Sequence, residues 1–194
     1  VKTGIFGGTF NPIHNGHIFN ARFIKDEFNL DRILFIPTGE PVHKKLAGNV
    51  TGELRCEMVS LAITDQEGFE VSRIELDRPE PSYTAITIRE LSEKFPEDDF
   101  YLIIGADSFN ELDSWREYEF IINSVPVIVM KRPGDPELKE SVTRGIAKLL
   151  ASGNRNIDIS SSMVRDRVAR GLPVDSLLPG AVNEFIKSKR LYLS

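Results

Sequence analysis

The sequence predicts an α/β fold: a doubly wound, mostly parallel sheet with helices on both faces, in one domain spanning residues 1–194. Three observations carry that expectation. Strand-like runs alternate with helical patterns throughout, the arrangement that builds parallel sheets. Asp99 to Gly105 (DFYLIIG) is nearly all apolar, as a strand covered on both faces must be. Two of the three histidines, His14 and His17, fall in one glycine-punctuated loop after the first strand, where such sheets place ligands.

Each element follows from local pattern. Lys2 to Phe6 reads as a strand closed by Gly7-Gly8, and Asn15 to Asn29 as a helix with apolar Ile18, Phe19, Ala21, Phe23, Ile24 and Phe28. Arg32 to Pro37 is a strand ended by proline. Thr51 suits the N-cap of a helix through about Thr64, and Phe69 to Leu76 reads as a strand. Ser82 or Thr84 can cap a helix that runs to Phe95, where Pro96 stops it. After Asp99 to Gly105 come a helical region, Asp113 to Ile122, and a strand, Val125 to Met130. Pro136 to Leu150 is read as a helix and Ile157 to Ile159 as a short last strand. Ser160 to Arg170 is a helix terminated by Gly171, and Pro179 to Lys189 closes the chain. The part from about residue 157 carries the ISSSMVR stretch and these closing helices.

Composition narrows the function classes. Hydrophobic residues make up 41% of the chain and charged residues 27%, ordinary for a globular protein. A net charge of −5 argues against a nucleic acid or anionic membrane bound through a broad basic face, so an anionic ligand needs a local cluster of positive groups. Cys56 is the only cysteine, which excludes an internal disulfide and a cysteine zinc cluster. No signal-like or transmembrane run is evident, and a cytoplasmic location is the expectation. Oligomeric state stays open.

The strand, glycine turn and helix start over residues 2–17 are a geometry in which backbone N–H groups point at an anion. His14 and His17, three apart, can face the same side of the opening turn and donate hydrogen bonds to phosphate oxygens. Neither GxGxxG nor GxxxxGK[ST] occurs, so the turn is neither a dinucleotide fingerprint nor a P-loop. Ser160, Ser161 and Ser162 stand at a second helix start with Arg165 one turn in, which by itself reads as a serine-capped amphipathic helix.

These stretches together resemble a known family. GGTFNPIHNGH carries the H-x-G-H signature of the nucleotidyltransferases at His14, Asn15, Gly16 and His17, and its doubled glycine is similar to bacterial nicotinate-mononucleotide adenylyltransferases. Asn11 stands where aspartate is commoner. IIGADSFNELDSWREYE, PSYTAITI, PVHK, VIVMKRPG and ISSSMVR resemble further elements of that family in position and order, from Lys2 to Tyr192. The resemblance implies a Rossmann-like sheet of nucleotidyltransferase type. It also implies the reaction of ATP with nicotinate mononucleotide to give nicotinate adenine dinucleotide and pyrophosphate.

By the same resemblance, His14 and His17 are catalytic. Gly8, Thr9, Phe10, Gly105, Asp107, Arg132, Ser161, Ser162 and Arg165 bind ATP. Lys44, Tyr83, Thr84, Trp115 and Tyr118 bind the second substrate, with Trp115 flat on the pyridine ring. Mg²⁺ is implied through ATP phosphates and water, with no dedicated protein metal site. The rivals are the phosphopantetheine enzyme of the superfamily, a sister activity on nicotinamide mononucleotide, and a nucleotide-binding protein without chemistry. The loop at 38–50 is the expected mover.

Overall fold

A computed structural model describes residues 1–39, 50–131, 134–145, 149–151 and 158–193. Its strands are β1 (Lys2–Gly8), β2 (Arg32–Pro37), β3 (Phe69–Val71), β4 (Asp99–Gly105), β5 (Val127–Met130) and β6 (Leu149–Ala151). They form one sheet in the order β3-β2-β1-β4-β5-β6, and every pairing is parallel. The helices are α1 (Asn15–Glu27), α2 (Gly52–Ile63), α3 (Thr84–Lys94), α4 (Ala106–Asn110), α5 (Tyr118–Ser124), α6 (Glu140–Gly145), α7 (Ser161–Ala169) and α8 (Gly180–Lys189). A 3₁₀ turn spans Leu112–Ser114. No helix among the described residues is long and apolar enough to cross a membrane.

Alternation along each strand feeds two cores. Phe6, Ile33, Phe35, Ile103 and Ile128 point to one face, where they meet α1, α2, α7 and α8 through Ile24, Met58, Val164 and Val182. Ile5, Leu34, Ile36, Leu102, Ile104, Val127 and Val129 point to the other, against Ile88, Leu91, Phe109 and Ile121. A two-residue period with both sets apolar makes the central strands read as continuous hydrophobic runs.

Several boundaries differ from the sequence reading. The third strand has three residues rather than eight, because Arg73 C=O accepts from the Leu76 and Asp77 N–H groups and turns the chain inward. Tyr83, not Ser82 or Thr84, takes the N-cap position of α3, since the Ser82 hydroxyl accepts from Gly39 N–H instead (3.0 Å). The helix expected over Asp113 to Ile122 is broken, with Glu117 at φ 58° and held by Arg89. Pro136 to Leu150 is not one helix. Asn110 bonds Glu137 C=O (2.9 Å) and Lys139 N–H (2.7 Å), keeping that stretch out of helix, and after α6 the chain supplies β6. Asp158 and Ile159 are outside the sheet.

The N-terminal edge of the sheet is tied by charge. Asp98, whose side chain is 7% exposed, accepts from Thr3 Oγ1 (2.6 Å) and Arg32 Nη2 (2.8 Å), and Arg32 also reaches Glu70. Burial alone would raise the Asp98 carboxyl, but the bonds and charge of Thr3 and Arg32 outweigh it and hold the group below the usual aspartate value. A depressed folded-state value contributes stability above the unfolded value of about 3.9, and that contribution is lost as pH falls through the folded one. Asp98→Asn should therefore cost about 1–3 kcal/mol at neutral pH. Denaturant melts should show the gap from wild type closing below about pH 4; a gap that does not change with pH would contradict this role.

Candidate active site

The chain leaves β1 toward β2 and β4 toward β5, so connections run in opposite directions on the two sides of the β1–β4 pair. That reversal opens a crevice beyond the strands' carboxyl ends, where open α/β sheets bind ligands. A cavity of about 490 Å³ fills it. Its floor includes Gly7 and Gly105, where a Cβ would meet nothing within 4 Å, so side-chain-free backbone borders open space. Its walls carry His14, His17, Thr84, Asp107 and Trp115.

The histidines act as a unit. His14 takes the N-cap position of α1 and is buried, and His17 lies one turn in. Their rings stack at 3.7 Å between centroids and 27° between planes. His14 N–H donates to His17 Nδ1 (3.2 Å), so in the neutral His17 ring the hydrogen resides on Nε2. The pair thus stands at a helix N-terminus, where backbone N–H groups and dipole favour an anion.

The loop between β1 and α1 is braced from three directions. Arg55 of α2, 0% exposed, donates through Nη1 to Thr9 C=O (2.7 Å) and through Nη2 to Thr38 C=O (2.6 Å). Arg165 Nη1 donates to Asn11 C=O (2.7 Å) and Nη2 to Ser162 Oγ (3.1 Å), and Ser161 Oγ donates to Pro12 C=O (2.8 Å). The Tyr192 hydroxyl donates to Asn11 Oδ1 (2.7 Å), and burial pushes that hydroxyl's pKa up. Phe10 sits at φ 46° after this bracing, its ring under Gly8 and edge-on to His17.

At the far end of the cavity, Ile86 and Thr87 N–H both bond Tyr83 C=O. The Thr84 and Ala85 N–H groups at the start of α3 are left without an acceptor among the described residues. Beneath them lies Glu75, 7% exposed, whose Oε1 accepts from Thr87 Oγ1 (2.7 Å). Burial pushes the Glu75 carboxyl up, against the pull of Thr87, Ser82 and the Arg78 charge.

Of the residues singled out in sequence, Gly8, Thr9, His14, His17, Thr84, Gly105, Asp107 and Trp115 line this one cavity. Phe10 lies buried beneath it, and Tyr83 sits under the Arg116 guanidinium at 4.8 Å. Tyr118 packs in the second core, while Ser161 and Arg165 brace the first loop and Ser162 Oγ accepts from Arg165. Lys44 and Arg132 lie outside the described residues, as does most of the loop at 38–50. Sequence reasoning missed Arg55, Glu75 and the hydroxyl of Tyr192. Arg55 had a signal: it falls in phase with Met58, Val59 and Ala62 on the buried stripe of α2, a charge where an apolar residue belongs.

Residues 5–167 match the cytidylyltransferase-like family. A protein of Citrifermentans bemidjiense named "Probable nicotinate-nucleotide adenylyltransferase" is 41% identical, over 100% of this chain and 99% of that one. A protein of the same name from Geobacter sulfurreducens is 39% identical over 99% and 98%. The fold is shared with a Plasmodium falciparum nicotinic acid mononucleotide adenylyltransferase solved in complex with NaAD. That match has a TM-score of 0.81, 20% identity, and coverage of 98% of this chain and 97% of that one. With full-length relatives at this identity, a matching family over most of its residues and the crevice architecture above, the chain belongs to the cytidylyltransferase-like nucleotidyltransferases, in the nicotinate-nucleotide adenylyltransferase family.

Proposed function

We propose that this protein joins ATP to nicotinate mononucleotide, giving nicotinate adenine dinucleotide and pyrophosphate in the synthesis of NAD. The observation that carries the reading is a stacked histidine pair opening onto the same cavity as the α3 N-terminus and Trp115. One end of that cavity suits phosphates, and the other suits a flat ring bearing a carboxylate.

The acceptor phosphate is itself the nucleophile. It attacks the α-phosphorus in line, a new P–O bond forms, and the bond to the bridging oxygen of pyrophosphate breaks. No protein nucleophile and no general base are needed, so catalysis is positioning plus stabilisation of charge. His17 Nε2–H and His14 hold the phosphates beside the α1 N-terminus, and the Gly8-Thr9-Phe10 backbone orients the acceptor phosphate. Gly105 and Asp107 receive the adenosine moiety, Asp107 by accepting from a ribose hydroxyl.

Arg165, Ser161 and Ser162 close the ATP side, and Arg132 and Lys44 add positive charge from segments outside the described residues. Thr84 receives the pyridine carboxylate at the α3 N-terminus, with Trp115 stacked on the ring and Tyr83 and Tyr118 bordering it. Among the described residues no three His, Cys, Asp or Glu side chains converge as a cage. Asp107, a hard oxygen donor lining the cavity, would accept from outer waters of a Mg²⁺ ion held mainly by ATP oxygens, and the ion would offset phosphate charge. The reaction is placed in the cytoplasm.

The direct test is pyrophosphate release with Mg-ATP and, in parallel, nicotinate mononucleotide, nicotinamide mononucleotide and phosphopantetheine. Strong release is expected with the acid nucleotide, weak release with the amide and none with phosphopantetheine. Silence with all three, from folded protein that binds ATP, would favour a binding protein. His17→Ala removes the Nε2 donor, so kcat of the folded protein should fall about a hundredfold or more. Near-normal turnover would remove His17 from the mechanism. Trp115→Ala should raise KM for the acid nucleotide well beyond any change for ATP, and equal shifts would overturn the stacking assignment.

A further inference from the structure

Glu75 has no part in the reaction above, yet it is the buried carboxyl nearest the ring end of the cavity. Sequence patterning gives it no apolar phase and no motif. A buried carboxyl is costly to retain when an apolar side chain of similar volume would pack as well. Its Oε2 is buried with no hydrogen-bond partner among the described residues, a feature that calls for a reason beyond packing.

Its neighbours supply one. Glu75 Oε1 accepts from Thr87 Oγ1 (2.7 Å), and Arg78 Nη2 donates to the same Thr87 oxygen (3.3 Å) while Nη1 pairs with Glu90 (2.8 Å). The Ser82 oxygen accepts from Gly39 N–H (3.0 Å). Gly39 is pressed so close that a Cβ there would stand 2.8 Å from both Glu75 C=O and Ser82 Oγ. The peptide before it, Thr38–Gly39, gives its carbonyl to Arg55. The Glu75 carboxyl therefore holds the first turn of α3 at Thr87 while its backbone lies against Gly39 beyond the end of β2, and Arg55 ties that end of β2 to the phosphate loop at Thr9.

We infer that Glu75 is a positioning residue for the pyridine-nucleotide end of the site. By holding Thr87 it sets where the Thr84 and Ala85 N–H groups stand relative to Trp115. The inference rests on the reading that this end receives the acid nucleotide.

The experiment compares Glu75→Leu, Glu75→Gln and Trp115→Ala in the full chain, measuring KM for each substrate, kcat and the thermal midpoint. Glu75→Leu should raise KM for nicotinate mononucleotide about tenfold, while KM for ATP and kcat stay within about twofold. Its thermal midpoint should be unchanged or higher, because the buried carboxyl is removed. Glu75→Gln keeps the acceptor for Thr87 and should restore KM. Thr87→Val, which deletes the hydroxyl donor with Glu75 intact, should show the same split if Glu75→Leu does not fold.

A loss of stability with both KM values moving together would overturn the inference, as would an unchanged KM in both Glu75→Leu and Thr87→Val. Trp115→Ala separates the two ideas. If it raises KM for the acid nucleotide and the Glu75 and Thr87 variants do not, only the role of Glu75 fails. If it moves both KM values alike, the placement of the ring fails.

Discussion

The site depends on one buried cation. Arg55 is fully enclosed and spreads its guanidinium over the carbonyl oxygens of Thr9 and Thr38, the first residues beyond β1 and β2. A trans peptide points its carbonyl and the following N–H in opposite directions. Drawing the Thr9 carbonyl toward α2 turns the Phe10 N–H away from it, and drawing the Thr38 carbonyl aims the Gly39 N–H at Ser82. One planar fork thus sets two peptide planes at once, as five rigidly arranged donors allow and a lysine ammonium would not. A cation is costly to bury, and here its hydrogen bonds go to the loops that carry the chemistry.

The two ends of the sheet divide the work. At the N-terminal end, Thr3, Arg32 and Asp98 tie β1 and β2 to the segment before β4, well away from the cavity. At the C-terminal end the strands run into glycines, and at Gly7 and Gly105 the backbone meets open space. Parallel strands all finish on the same side, so one end can be locked by charge and packing while the other is left open. The flat floor follows from β1 and β4 lying adjacent at the point where the connections reverse.

The last fifth of the chain works on the first tenth. Ser161, Arg165 and Tyr192 hold Pro12 and Asn11, and Leu177 C=O and Ser176 C=O accept from the backbone and side chain of Asn15 at the start of α1. Asn11 suits this arrangement: its Oδ1 accepts the Tyr192 hydroxyl while its own carbonyl takes Arg165. The histidine pair keeps its stacking because the turn before it is clamped from a part of the chain more than 140 residues away.

Much of this was legible in the sequence, because the signals were local. Continuous apolar runs in β2, β4 and β5 mark strands with two apolar faces, and His14 with His17 at a helix start predicts an anion site whatever the rest of the chain does. The doubled glycine and the runs around Trp115 and Thr84 place residues that do line the cavity. Short elements read poorly: β3 and β6 have three residues each, too few for a period, and the break at Glu117 depends on Arg89 from another helix. Arg55, Glu75 and Tyr192 act across 46, 12 and 181 residues of sequence, where no spacing rule applies. Local pattern determined where most of the helices and strands lie and which residues could meet a phosphate. Only the tertiary structure decided which buried polar groups hold them there, because a buried hydrogen bond is defined by what surrounds it, and those surroundings come from elsewhere in the chain.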